Sequence, residues 1–396
     1  MRPKTPFLLA ALALATSADA RSLTLRFPRF SVPPHADREV CTFVPVPVRQ
    51  AVDVAGISVV NVGGNGRFIS HHFLMWSYSG TSMAAFEPRK VVDSQACNDF
   101  GPPDVGDRSL LVTVQHPRTL ETAPPGLATH LEPIAGSAGP VLGLILNSHW
   151  VNASNRRQRA SVVVKLIPAA PHTVKRYVKS IFETTADAFI DVPPGQVSSA
   201  ARGEWAPGTR DQGSTGFSGA PVPAGTACVT SLTTHMHKRG KLFVVEAVAA
   251  DQSSRELFRS ERFTDPVEVP FDPPLVVHPG EAIRYTCTHD NGVTTAQKLG
   301  CEEEPGVAPG QPVSVTISTP LGEHGAAKRC ATDADCPAAD ASYPGRHFTG
   351  RCVPARLVFG FTSDDDMCIL PGTYYEAIPG AAPGAECELS TLPTID

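Results

Sequence analysis

His235 and His237 stand one residue apart in Thr234-His-Met-His-Lys-Arg-Gly240. They run into Lys241-Leu-Phe-Val-Val-Glu-Ala-Val248, whose β-branched and aromatic content predicts a strand. If both lie on that strand, its period of two puts the imidazoles on one face, roughly 6.5–7 Å apart at their bases. Two imidazoles so placed can converge on one metal ion; the plain alternative is two surface histidines on an edge strand. A vicinal pair, His71-His72, sits in Arg67-Phe-Ile-Ser-His-His-Phe-Leu-Met-Trp76, apolar on both sides and therefore expected to be buried. Neighbours on a regular strand point to opposite faces, so both reach one ion only from a bulge or an irregular strand end. The competing reading is one core histidine and one exposed. His149 ends the apolar run Val141-Leu-Gly-Leu-Ile-Leu-Asn-Ser-His-Trp150, where an imidazole is ordinarily a satisfied core residue and becomes interesting only beside other histidines. His116, His130 and His172 read as loop residues. Met367 follows the acidic triplet Asp364-Asp365-Asp366, which reads as a solvated turn entering a strand, with the methionine in the core.

The elements that must position these residues are strands. Ser22-Leu-Thr-Leu-Arg-Phe27 and Cys41-Thr-Phe-Val-Pro-Val-Pro-Val48 alternate, and the prolines confine the second to a sheet edge or to irregular extended chain. Leu110-Leu-Val-Thr-Val114, Ala160-Ser-Val-Val-Val-Lys-Leu166, Ser180-Ile-Phe-Glu-Thr184, Ala188-Phe-Ile-Asp-Val192, Leu275-Val-Val277 and Ile283-Arg-Tyr-Thr-Cys-Thr288 continue the series. Residues 101–107 and 196–226 read as loops, the second a long one rich in Gly, Ser, Ala and Pro. No helix-period segment of any length stands out. Short strands separated by Pro/Gly turns predict an all-β chain of two antiparallel β-sandwiches, the joint falling in the Pro/Ala-rich residues 168–173. The first sandwich then spans residues 21–172 and the second 173–396. Residues 300–357 look inserted into the second, because four of the ten cysteines (Cys301, Cys330, Cys336 and Cys352) crowd there and can close on each other as a self-stapled lobe. Calcium binding by Asp333 and Asp335 has too few ligands to argue for.

Arg2 and Lys4, the apolar stretch from Pro6 to Thr16 and Ala18-Asp-Ala20 form a secretory signal pattern, with cleavage expected after Ala20 and a secreted or periplasmic product. No stretch is long and apolar enough to span a bilayer. Ten cysteines in an exported chain read as disulfides, and the absence of C-x-x-C disfavours a zinc knuckle or a thioredoxin-type site. With 34 Lys+Arg against 39 Asp+Glu and no basic stripe, nucleic acid is not an expected partner.

Several of these pieces, taken in order, resemble the copper type II, ascorbate-dependent monooxygenases, the family of dopamine β-hydroxylase and peptidylglycine α-hydroxylating monooxygenase. They are His71-His72 in an apolar stretch; His149 at a strand end, after Pro124-Pro-Gly126; His235-Met-His237-Lys-Arg-Gly240; Tyr285-Thr-Cys287-Thr; and Ser363-Asp-Asp-Asp-Met367-Cys368 with Tyr374-Tyr375. The resemblance covers most of the chain outside residues 300–357. It implies two jelly-roll domains and two copper ions, one held by His71, His72 and His149, the other by His235, His237 and Met367. The resemblance further implies that the His/His/Met copper binds O₂ and abstracts a substrate hydrogen, while the three-His copper supplies the second electron and ascorbate recharges both. A thioether favours Cu(I), the state that can hand an electron to O₂. It also implies a Cys287–Cys368 bridge that would pin Met367 beside His235 and His237, and, more weakly, Cys228–Cys387. The chain departs from the family where Tyr78 replaces a first-half cysteine. It has no arginine in Leu232-Thr-Thr234 to hold a peptide carboxylate, and Ile369 and Pro371 stand where peptidylglycine enzymes carry Asn and Tyr. A glycine-extended peptide is therefore not the expected substrate.

The expected function is hydroxylation of an unactivated or benzylic C–H bond of a small organic molecule, with O₂ and a reductant such as ascorbate. A zinc hydrolase of the H-x-H-x-D-H type is disfavoured by Arg239, which stands where an acid is needed, and H-E-x-x-H is absent. The rival is an exported copper-binding or scaffold protein without turnover.

Overall fold

The computed structural model describes residues 22–63, 70–80, 87–93, 108–136, 139–212, 218–264, 266–303, 328–340, 347–360 and 364–395. The signal segment, Cys97, the loop at 101–107, Ser363 and the His71 side chain lie outside this description. The described chain is all-β, with antiparallel sheets and three 3-10 turns, at Thr185–Phe189, Asp333–Asp335 and Leu389–Thr391.

Two sheets carry the first half. One runs Leu23–Arg26, Gln158–Pro168, Val52–Gly63, Leu127–Leu131, Arg176–Tyr177, and the other Val91–Asp93, Ala36–Pro47, Gly139–Asn152, Ser70–Tyr78, Arg108–Val114. Gln158–Pro168 alternates buried and accessible residues, as a strand with one solvated face must. Its Val162, Val164 and Leu166 meet Phe73, Met75, Leu142, Leu144 and Leu146 of the facing sheet in one core. Gly139–Asn152 is different: every residue from Val141 to Trp150 is buried. Its even positions enter that core, whereas Val141 and Ile145 point outward, together with Phe43, Leu74, Trp76 and Tyr78. The outward side chains pack on Met367 and Ile369, with Phe182 and Phe359 at the margin. The unbroken apolar run in the sequence is thus explained: the second half covers the outer face of this sheet.

The second half has two four-stranded sheets. One is Lys179–Glu183, Leu370–Glu376, Ala227–Leu232, Val269–Val277; the other is Gln196–Trp205, Ala282–Asn291, Gly240–Val248, Ser254–Ser260. Ile181, Trp205, Val229, Phe243, Val245, Ile283 and Tyr285 lie in the core between them. Gln196–Trp205, expected to be loop, is an edge strand along Ala282–Asn291. Its Ser, Ala and Gly residues hid it, because only its C-terminal half buries side chains. His130, expected in a loop, is in the strand Leu127–Leu131, and residues 188–189, expected in a strand, close a 3-10 turn before the short strand Asp191–Val192.

Both expected disulfides are present, Cys287–Cys368 with Cα atoms 5.9 Å apart and Cys228–Cys387 at 5.7 Å. Cys301–Cys336 and Cys330–Cys352 staple the lobe to itself across the hairpin Leu299–Glu303 and Phe348–Pro354. Asp333 and Asp335 are used up locally: Asp335 accepts from the N–H groups of Ala331 and Thr332, and Asp333 accepts from that of Cys352. These bridges mark an oxidising compartment. No helix among the described residues is long and apolar enough to cross a membrane.

Under the Cys287–Cys368 bridge lies a pair of acids. Asp187 accepts the Cys368 N–H at 2.6 Å, and Glu183 accepts that of Thr185 at 2.8 Å. Burial raises both, Glu183 to about 7 against the N–H bonds that oppose it. Folded Glu183 therefore keeps a proton that the unfolded chain releases near 4.5. Its contribution to stability is complete below that value and is lost as pH rises towards 7, by about 3 kcal/mol. Glu183→Gln should remove this part of the pH dependence, so that wild type and variant diverge in urea midpoint between pH 5 and pH 8. Parallel pH profiles would contradict the assignment.

Candidate metal centre

His149 and His72 are direct partners in the ladder between Gly139–Asn152 and Ser70–Tyr78, and Glu39 faces His149 from the other side. Directly opposed residues share a face, so one acid and two imidazoles form a row across three strands on the outward face. All three are buried. The His72 and His149 ring centroids are 5.1 Å apart, and His72 Nε2 lies 3.6 Å from the Glu39 carboxylate. Just past this row the register slips: Trp150 faces Ser70, so His71 is the extra residue of a bulge. That is the irregularity a vicinal pair needs if both members are to serve one ion.

His235 and His237 are not on the strand expected to carry them, which begins at Gly240. The residues Thr234 to Arg239 instead form an extended entry tied to the Met367 segment. His235 and Ile369 exchange backbone hydrogen bonds of 3.0 and 3.1 Å, and a turn closes between the His237 carbonyl and the Gly240 N–H. A Cβ on Gly240 would come within 2.6 Å of the buried Met236 side chain, which gives the glycine of the motif a steric reason. The rings of His235 and His237 are nevertheless adjacent, at 5.3 Å, and His235 lies 5.5 Å from His72. Four imidazoles thus run in succession, His149, His72, His235, His237, two from each half. The residues expected in two groups adjoin across the interface through His72 and His235. His237 is fully buried and its pKa is lowered to about 3, by burial and then by the neighbouring His235 and against the pull of Asp366, so it is neutral, as a ligating imidazole must be.

The acidic triplet is not a solvated turn. Asp366 is completely buried and accepts from the N–H groups of His237 at 2.8 Å, Met367 at 2.9 Å and Arg239 at 3.1 Å. His289 Nε2 stands 3.4 Å from the same carboxylate and 3.4 Å from the Met367 carbonyl. Asp365 pairs with Lys298, both buried, and Asp364 pairs with Lys238, Arg239 and Arg329. These cations balance a negative cluster that could not otherwise leave water. Reading the sequence did not find His289, Lys298 or the role of Asp366. The one signal was that three acids precede an apolar strand without a turn residue among them.

Met367 is 2% exposed and lines a cavity of about 140 Å³ together with His72, His235, Leu74, Val112 and Phe182. Glu121 and Glu268 also line it, and burial and then the Glu268 charge raise Glu121 to about 8, leaving it protonated at neutral pH. Whether this donor set suits a metal can be tested on the ring spacing. Metal–nitrogen bonds of about 2 Å on a tetrahedral ion place two imidazole centroids about 5 Å apart, close to the three spacings found. Edge-to-face contact between rings allows the same distance, so the spacing fits a metal and packed rings alike; imidazole and thioether are donor types that suit copper, and His72, His235 and Met367 line one cavity. Among the described residues, one group of three metal-ligating side chains brings its donor atoms within 4.8 Å of one another, Cys301, Cys330 and Cys336. Their sulfurs are in disulfides and offer no thiolate.

No family model matches the chain, and no curated protein does. Solved structures similar to parts of it include the PBSX exported protein XepA, at 8% identity over 67% of this chain and 86% of that one with a TM-score of 0.16. Others are an allantoicase, at 9% over 60% and 69% with a TM-score of 0.15, and the infectious bursal disease virus VP2 subviral particle, at 10% over 70% and 68% with a TM-score of 0.16. At these TM-scores the likenesses carry no argument about this chain.

If Asp366 organises the site as described, Asp366→Asn removes its charge at almost constant shape. The fold should lose about 2–4 kcal/mol in urea unfolding with the disulfides intact. A loss under about 0.5 kcal/mol would sink this account, being no more than an ordinary surface substitution costs.

Proposed function

We propose that the chain is an exported copper-dependent monooxygenase of two jelly-roll domains, residues 21–172 and 173–396, that hydroxylates an unactivated or benzylic C–H bond of a small organic molecule with O₂ and a reductant such as ascorbate. The observation that carries the reading is the unbroken row His149, His72, His235, His237, with Met367 on the wall of the cavity that His72 and His235 also line. His71, His72 and His149 would hold one copper, and His235, His237 and Met367 the other. Copper so held would supply the one-electron chemistry with O₂ that none of these side chains provides. The chain's own residues do the rest. The sheet ladder fixes His72 and His149, and Asp366 fixes the backbone of His237 and Met367. Leu74, Val112 and Phe182 line the cavity with hydrocarbon. A dry apolar cavity of about 150 Å³ is enough for benzene, so the space suits one ring or a short alkyl segment, with the protonated Glu121 as a hydrogen-bond donor on the wall.

The test is ascorbate-driven oxygen uptake by copper-loaded protein against a panel of benzylic and amide substrates. Met367→Ile should lower turnover at least about 100-fold, since a branched hydrocarbon fills the space without ligating Cu(I), while the three-His set keeps its copper. His149→Ala should stop turnover yet leave copper at His235 and His237. Copper binding without uptake on any substrate would identify a binding protein without turnover, and a protein that takes up no copper would end the reading altogether.

A further inference from the structure

Gln115 is the first residue beyond the strand Arg108–Val114, which pairs with the His72 strand so that Phe73 faces Val114. Continuing that register sets Gln115 beside His72 at the rim of the sheet. From there its amide nitrogen lies across the interface, 3.1 Å from Nδ1 of His235. The first half therefore receives His235 between two of its own side chains, the His72 ring on one side and the Gln115 amide on the other. The amide oxygen is buried without a hydrogen-bond partner, and Gln115 is among the residues that line the cavity.

We propose that Gln115 is a positioning residue that reserves Nδ1 of His235 and so makes Nε2 the nitrogen through which this histidine acts. A neutral imidazole has one N–H and one lone pair, and the partner of one nitrogen decides the state of the other. For Nε2 to present its lone pair, Nδ1 must hold the proton and the amide oxygen must accept it. This requires a half-turn of the amide about its terminal bond from the orientation above, which exchanges two ends alike in size and puts the NH₂ in the buried place of the oxygen. The contact couples the halves as well: a histidine contributed by the second half takes its correct state only when the first half is docked on it. The tautomer expected here rests on the function proposed above, in which Nε2 is the ligating nitrogen; the state of His235 itself can be read in metal-free protein.

Long-range ¹H–¹⁵N correlation spectra of metal-free protein report which nitrogen of His235 carries the proton. Wild type and Gln115→Glu, whose carboxylate can only accept, should both show the Nδ1–H form. Gln115→Leu should lose it, and Gln115→Asn, one methylene shorter and still polar, replaces the leucine variant if that one does not fold. Cu(I) affinity should fall about 10- to 100-fold in Gln115→Leu at one of two sites and recover in Gln115→Glu. A wild-type protein with the proton on Nε2, or a leucine variant with an unchanged His235 spectrum, overturns the proposal. If wild type binds no copper, the monooxygenase reading fails by itself, and the tautomer spectra still decide the role of Gln115.

Discussion

The carboxylate of Asp366 accepts hydrogen bonds from three backbone N–H groups, those of His237, Arg239 and Met367, in a place with no solvent exposure. Two segments about 130 residues apart in sequence are joined there, the entry that carries His235 and His237 and the segment that carries Met367. Charge-assisted bonds to backbone donors are stronger than neutral ones, and a buried carboxylate can persist only where such donors surround it. The Cys287–Cys368 bridge and the His235–Ile369 backbone pair hold the same segment from either side. The position of Met367 is thus over-determined by a carboxylate, a disulfide and a backbone ladder.

A second constraint comes from the sheet that carries His72 and His149. Its outer face, with Phe43, Leu74, Trp76 and Ile145, would be a large exposed apolar patch if the halves were apart. Packing Met367, Ile369 and Phe182 against it both removes that surface from water and brings His235 to His72. The force that docks the halves and the geometry that assembles the row of imidazoles are therefore one event. Gln115 adds a polar contact at the rim of the same docked surface.

The stapled lobe takes part through charge. Arg329, next to Cys330, pairs with Asp364 of the triplet, and Gly300 bridges to Arg329 within the lobe. Lys298, just ahead of the lobe, is buried against Asp365. Removing one partner of the buried Lys298–Asp365 pair leaves an uncompensated charge and costs several kcal/mol, whereas Arg329 is half exposed and its pair contributes about 1 kcal/mol or less, so the lobe is tied to the site weakly and places no described side chain in the imidazole row.

What the sequence determined by itself was local. Alternation and turn residues identified most strands, because a strand half exposed to water writes its period of two into the chain; Gln196–Trp205 escaped because its side chains hardly enter the core. Spacing alone singled out His235 and His237 as a pair that could share an ion; His71, His72, His149 and Met367 were joined to them as ligand sets by resemblance, as were the Cys287–Cys368 and Cys228–Cys387 bridges. Docking of the halves decided the rest. His235 meets His72 and Gln115 only through contacts more than 100 residues apart, and no periodicity encodes those. The acidic triplet looked solvated because acids usually are. Its burial depends on Lys238, Arg239, Lys298, Arg329 and His289, drawn from four other places in the chain, and a charge leaves water only where the tertiary structure has already gathered its partners.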